Sequence, residues 1–191
     1  PGLTGQKCSG SLYRDGRLEF TGLTEIGFID VDSVGKFSVS KNGLHADTAK
    51  FALGLGGAAT CALTFNGLDI TPKEISGTAT GSFKGVLGIG TSLTGRFAFD
   101  GQQVRLTYPD AVSLCGISVR GATLTISPSG MTGSGQITLA GEKKNVSITL
   151  ENGILRLKGP AGELIAEGMN IAGEIKDTVV ETASDEKEVI A

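Results

Sequence analysis

Residues 145–158 read Asn145-Val146-Ser147-Ile148-Thr149-Leu150-Glu151-Asn152-Gly153-Ile154-Leu155-Arg156-Leu157-Lys158. In the first six, polar and apolar side chains alternate without a break. A period of two marks a half-buried antiparallel strand, with one face apolar and the other wet. Asn152-Gly153 comes next, and this dipeptide supplies the φ > 0 positions that a two-residue hairpin turn demands. A second apolar run over 154–158 brings the chain back. The stretch predicts a β-hairpin, and the same grammar recurs outward from it.

Toward the N-terminus, Gln136-Ile137-Thr138-Leu139, Thr123-Leu124-Thr125-Ile126-Ser127, Arg96-Phe97-Ala98-Phe99-Asp100 and Lys36-Phe37-Ser38-Val39-Ser40 alternate in the same way. Thr suits these runs because its β-branch fits a pleated sheet and its hydroxyl fits the wet face. Asp15-Gly16, Asn42-Gly43, Asn66-Gly67 and Asp100-Gly101 read as hairpin turns, and Ser127-Pro128-Ser129-Gly130 as a further turn. Strands are predicted near 11–14, 17–21, 26–32, 35–41, 44–54, 58–66, 75–84, 92–100, 103–108, 111–120, 122–127, 132–140, 145–151, 154–158, 163–168 and 170–176. The expected fold class is all-β: an antiparallel meander forming a Gly-rich β-sandwich or rolled sheet, without extensive helix. The Gly-x-Gly pairs recur at no fixed interval, which weighs against a β-helix of constant coil length.

Composition agrees. The 30 glycines among 191 residues would each cost a helix interior roughly 1 kcal/mol, so a helical bundle is excluded. A 39% apolar content with a net charge of −3 excludes a disordered chain. Only 5 prolines and no strict Gly triplet exclude collagen.

Residues 1–176 are expected to form the β-body, with a boundary between sub-sheets near the Gly/Thr/Ser-rich stretch 77–95. From Asp177 the grammar changes. Residues 177–191 carry Asp177, Glu181, Asp185, Glu186 and Glu188 against Lys187 alone, and read as an acidic tail or a docking segment. The body is then nearly neutral, with scattered charges, which is no footprint for nucleic acid. The longest apolar stretch, from Phe51 to Phe65, is broken by glycines and falls short of the ~18 residues of a membrane helix, so no integral membrane segment is expected.

Chemistry is sparse. His45 is the single histidine. It shares a strand face with Asp47, but no serine sits in a nucleophile elbow and no cysteine in an electropositive setting. Asp30 and Asp32 also share a face, without a calcium-loop spacing. No cofactor or metal is expected, and no catalysis. With no Trp and only Tyr13 and Tyr108 as tyrosines, the stacking platforms of sugar and single-strand nucleic-acid binders are lacking. Cys8, Cys61 and Cys115 are odd in number. Cys61 and Cys115 sit in apolar runs, as small buried hydrophobes do. They are also candidates for an internal disulfide, and Cys8 for a bond to another chain.

Two functions from different classes follow. The first is a non-enzymatic structural or assembly protein of a cell or particle surface. It would self-associate through β-edges and terminal segments into an oligomer or filament, or pair with another surface protein. The expected location is extracellular, cell-surface or periplasmic. The second is an apolar-ligand carrier. Over residues 35–176 the texture of many short, Gly-punctuated strands with alternating Leu, Ile and Phe resembles the AsmA/TamB-type and LptA-type periplasmic β-groove proteins. That resemblance implies a groove that shields lipid tails in transit between membranes. Its lining, or simply the core, would be Phe51, Leu53, Leu55, Leu63, Phe65, Phe83, Phe97, Phe99, Leu106 and Leu114.

Overall fold

A computed structural model describes residues 9–14, 17–21, 25–40, 43–89, 92–139, 141–159 and 162–165. All regular structure among them is β. The strands are β1 (Ser9–Leu12), β2 (Arg17–Thr21), β3 (Glu25–Ile26), β4 (Ile29–Val34), β5 (Phe37–Ser40), β6 (Gly43–Gly56), β7 (Ala59–Ile70) and β8 (Ile75–Lys84). They continue as β9 (Leu93–Phe99), β10 (Val104–Thr107), β11 (Val112–Leu114), β12 (Ile117–Ser127), β13 (Gly130–Leu139), β14 (Glu142–Glu151), β15 (Ile154–Gly159) and β16 (Gly162–Ile165).

The strands form one antiparallel sheet in the order β1-β2-β5-β6-β7-β8-β9-β10-β12-β13-β14-β15-β16, curled into a half-barrel. Nearly every strand pairs with its neighbour in sequence, as a chain of hairpins must. The short β3 and β11 lie off the path, β3 on β4 and β11 on β12, and β4 joins the far half of β6.

Alternation builds the curl. On β7, Ala59, Cys61, Leu63 and Phe65 are buried while Thr60, Ala62, Thr64 and Asn66 face water. On β12, Ala122, Leu124 and Ile126 are buried; on β14, Val146 and Ile148 are. The inward side chains form one continuous core from Ile26 to Leu157. No polar or charged side chain other than Tyr108 and the cysteines is buried among the described residues. Water-facing hydroxyls line up across strands, and the Thr80 and Thr94 hydroxyls hydrogen-bond at 2.8 Å.

Turns follow local chemistry. Asn152 and Gly153 take φ of 53° and 79°, the left-handed pair of a tight hairpin turn. At Asp100 the carboxylate accepts the Gln102 and Gln103 backbone N–H groups, each at 2.9 Å. These bonds, that from Gln103 foremost, hold its carboxyl below the usual carboxylate range.

Three expectations change. The 77–95 stretch is not a boundary between sub-sheets, because β8 and β9 pair from Ile75↔Phe99 to Gly81↔Leu93 within the one sheet. Asn66-Gly67 is not a hairpin turn. It is a bulge inside β7, where the register against β8 jumps from Phe65↔Ala79 to Leu68↔Gly77. Residues 111–120 are not one strand, because Cys115 and Gly116, at φ of 52° and 76°, turn the chain between β11 and β12. Asp15-Gly16, Asn42, the last predicted strand at 170–176 and the segment 177–191 lie outside the described residues.

The β8–β9 connection does more than turn. The Leu87 N–H donates to the Gly153 carbonyl at 2.8 Å, and the Leu155 N–H donates to the Leu87 carbonyl at 3.0 Å. The Cys115 N–H donates to the Gly88 carbonyl at 2.5 Å. Residues 85–89 thus strap the tip of the β11–β12 hairpin to the start of β15.

Candidate functional site

The sheet path stops at two strands. Among the described residues β1 pairs along it with β2 and β16 with β15, each on one side. Such an edge presents backbone N–H and C=O groups that another strand can take up. β1 meets β2 over Ser9↔Thr21 to Leu12↔Leu18, and β16 meets β15 from Leu157↔Ile165 to Gly159↔Gly162. The two edges stand at opposite ends of the path. That geometry follows from a meander that curls without closing.

The apolar candidates lie on the concave face. Phe51, Leu53, Leu55, Leu63, Phe65, Phe97, Phe99, Leu106 and Leu114 are buried in the core, and Phe83 packs against it half-buried. Phe65 is central, its ring 5.0 Å from Phe51 and 4.9 Å from Phe97 between centroids. These side chains fill the concave face with one another.

Cys61 and Cys115 are separate, buried free thiols, so the internal disulfide between them is not formed. Burial pushes the Cys61 thiol up to about 12 and the Cys115 thiol up to about 11. Cys115 Sγ donates to the Leu155 carbonyl at 3.4 Å. Cys8 lies outside the described residues. Tyr108 is buried with its hydroxyl unpartnered among the described residues, and burial, aided by Cys61, raises its ionisation well above the ordinary phenol range.

On the convex face lies a shallow open depression of about 420 Å³, lined by His45, Asn66, Gly67, Asp69, Ser76, Gly77, Thr78, Arg96 and Phe97. The β7 bulge makes it. Gly67 sits at φ of 92°, and a Cβ on Gly77 would meet the Gly67 carbonyl oxygen at 2.6 Å, so both positions need glycine. The absence of side chains there leaves the floor open. His45 on β6 lies opposite Asp69 on β7. Its Nδ1 is 2.7 Å from Asp69 Oδ1, and its Cε1 lies over Gly67, 3.5 Å from where a Cβ would stand. Asp47, the residue that shares a strand face with His45, instead accepts the Lys36 backbone N–H at 2.8 Å. Nothing local to His45 points to Asp69, and only the β6–β7 register could have found it.

Asp30 and Asp32 are exposed on β4. Among the described residues no group of three or more His, Cys, Asp or Glu side chains converges as metal ligands would. Among the described residues no helix is long and apolar enough to cross a membrane, which leaves membrane β-barrels unaddressed. No family model matches the chain, and no curated protein and no solved structure matches it either.

Proposed function

We propose that this chain is a non-catalytic assembly module of a cell or particle surface, extracellular or periplasmic, which joins copies of itself edge to edge. The observation that carries this reading is the sheet path, in which β1 and β16 are each paired on one side among the described residues. Pairing β16 of one copy with β1 of the next is a heterologous contact. It continues the sheet and propagates as a filament unless the rotation closes a ring. The wet convex face, dressed with Thr and Ser, would stay solvated along such a polymer.

Sedimentation velocity of the full chain over a concentration series tests this, with hydrogen exchange read on β1 and β16. Concentration-dependent growth with new protection confined to those edge strands is the expected result. Ile165→Pro, which weakens β16 as a pairing strand, should abolish growth while the circular dichroism of the β-body is kept. A monomer at all concentrations, or growth without edge protection, overturns the reading.

A second reading rests on the curl itself. A half-barrel whose buried apolar residues form one inward-facing core has the form of a groove for an acyl chain. The concave side chains pack against each other, so a guest requires the strap at 85–89 to release. Solvent extraction of the purified protein followed by mass spectrometry for acyl chains separates the two readings.

A further inference from the structure

The convex-face depression contains an unmatched charge. Arg96 on β9 stands beside Thr78 on β8, its register partner, and lines the depression. Among the described residues no carboxylate pairs with Arg96. The one carboxylate of the lining, Asp69, is taken by His45 at 2.7 Å. Around Arg96 stand further side-chain donors without a partner among the described residues: the Asn66 amide and the Ser76 and Thr78 hydroxyls. His45, fixed by Asp69, forms the opposite wall over Gly67. Arg96 is thus a donor-only fork, flanked by groups that can donate, beside a floor that two obligatory glycines keep bare.

We propose that this depression is a binding site for an oxyanion, the carboxylate or phosphate group of a small ligand. The Arg96 guanidinium holds two oxygens at once, since its planar fork of N–H groups matches an oxyanion edge. The Asn66 amide and the Thr78 hydroxyl donate to what remains. Asp69 holds the imidazole through one carboxylate oxygen, and its remaining negative charge is a cost that the Arg96 fork must outweigh. The site is open to solvent, so water competes and affinity is modest, on the order of a millimolar dissociation constant. Such a site does not depend on the assembly reading.

Arg105 supplies the internal control. It is exposed on the neighbouring strand β10, opposite Ala98, and does not line the depression. The experiment titrates inorganic phosphate and, separately, acetate into the isotope-labelled full chain at constant ionic strength. Saturable shifts centred on the Gly67, Gly77 and Arg96 resonances are expected. Arg96→Ala should weaken binding by about tenfold or more, as loss of a charge-assisted pair does, while Arg105→Ala leaves it unchanged. Asn66→Ala, with a smaller loss, serves if Arg96→Ala perturbs the fold. Saturation by phosphate alone or by acetate alone identifies which oxyanion the fork accepts. Shifts that never saturate, or an equal loss in Arg96→Ala and Arg105→Ala, overturn the proposal, because either marks diffuse charge screening.

Discussion

The curled sheet fills its interior in two ways. Across β6, β7 and β9 the space is taken by rings: Phe51, Phe65 and Phe97 lie with centroids 4.9 to 6.3 Å apart, and Phe28 meets Phe99 at 5.7 Å. Across β12 to β15 the buried side chains are aliphatic, among them Leu124, Ile126, Ile148 and Leu157, with Met131. There the backbone itself moves in. A Cβ on Gly133 would stand 2.5 Å from the Thr123 carbonyl oxygen, and one on Gly135 would stand 2.3 Å from Val119 Cγ1. Close approaches occur in the aromatic half too, at Gly77 and Gly95, so what sets that half apart is the ring volume packed over them. A lost ring is then an insult to that half, whereas an added atom at a close approach strains either.

The largest effect should come from emptying the aromatic half. Phe65→Ala removes the ring that touches two others and is expected to cost about 3–5 kcal/mol in urea unfolding. Leu124→Ala in the aliphatic half should cost less; equal costs would break the comparison. Next comes the added atom. Gly133→Ala drives a methyl against backbone and should cost about 1–3 kcal/mol, whereas Gly54→Ala, with nothing within 4 Å, should be neutral or slightly stabilising.

The two thiols sharpen the contrast more gently. Both are raised by burial, Cys61 in the aromatic half to about 12 and Cys115 to about 11, from an ordinary 9.0. The native state therefore holds these protons more tightly than the unfolded chain. That contribution is fully present below pH 9 and is lost as pH rises toward 11 and 12. Urea midpoints measured against pH should be flat in this respect below 9 and fall above it, and Cys61→Ala should reduce the fall. Native-state alkylation should reach Cys115 before Cys61. The smallest change is Tyr108→Phe. Deleting a buried hydroxyl that has no partner among the described residues should raise stability by up to about 1 kcal/mol, read as a higher urea midpoint. A loss would mean that the hydroxyl is engaged.

Much of this architecture is written locally. The strand at Ile75–Lys84 is bounded as its alternation predicts, and Asn152-Gly153 turns as its chemistry demands. Asn66-Gly67 is the instructive failure. The dipeptide does supply the φ > 0 residue, but whether that makes a turn or a bulge depends on how far the partner strands run. β6 and β8 both continue past it. Cys115 defeats local reading for another reason. A cysteine at φ of 52° is not a residue that advertises a turn, and the Gly88 and Leu155 contacts that hold it come from distant segments. The convex depression was half legible. His45 drew notice as the lone imidazole, yet its carboxylate lies 24 residues away, and the bulge that opens the floor beside it carries no signal of its own.

The succession of hairpins has a mechanical consequence. Because neighbours along the path are mostly neighbours along the chain, and the path's first and last strands are its two edges, a pull on both ends loads the sheet across its strands rather than along them. Under that load, hydrogen bonds open one pair at a time, as a zipper does, instead of shearing together. A thread of such modules would yield at low force and pay out length hairpin by hairpin. The ties that join residues 85–89, Cys115 and β15 skip several strands, and they are where such peeling would meet resistance.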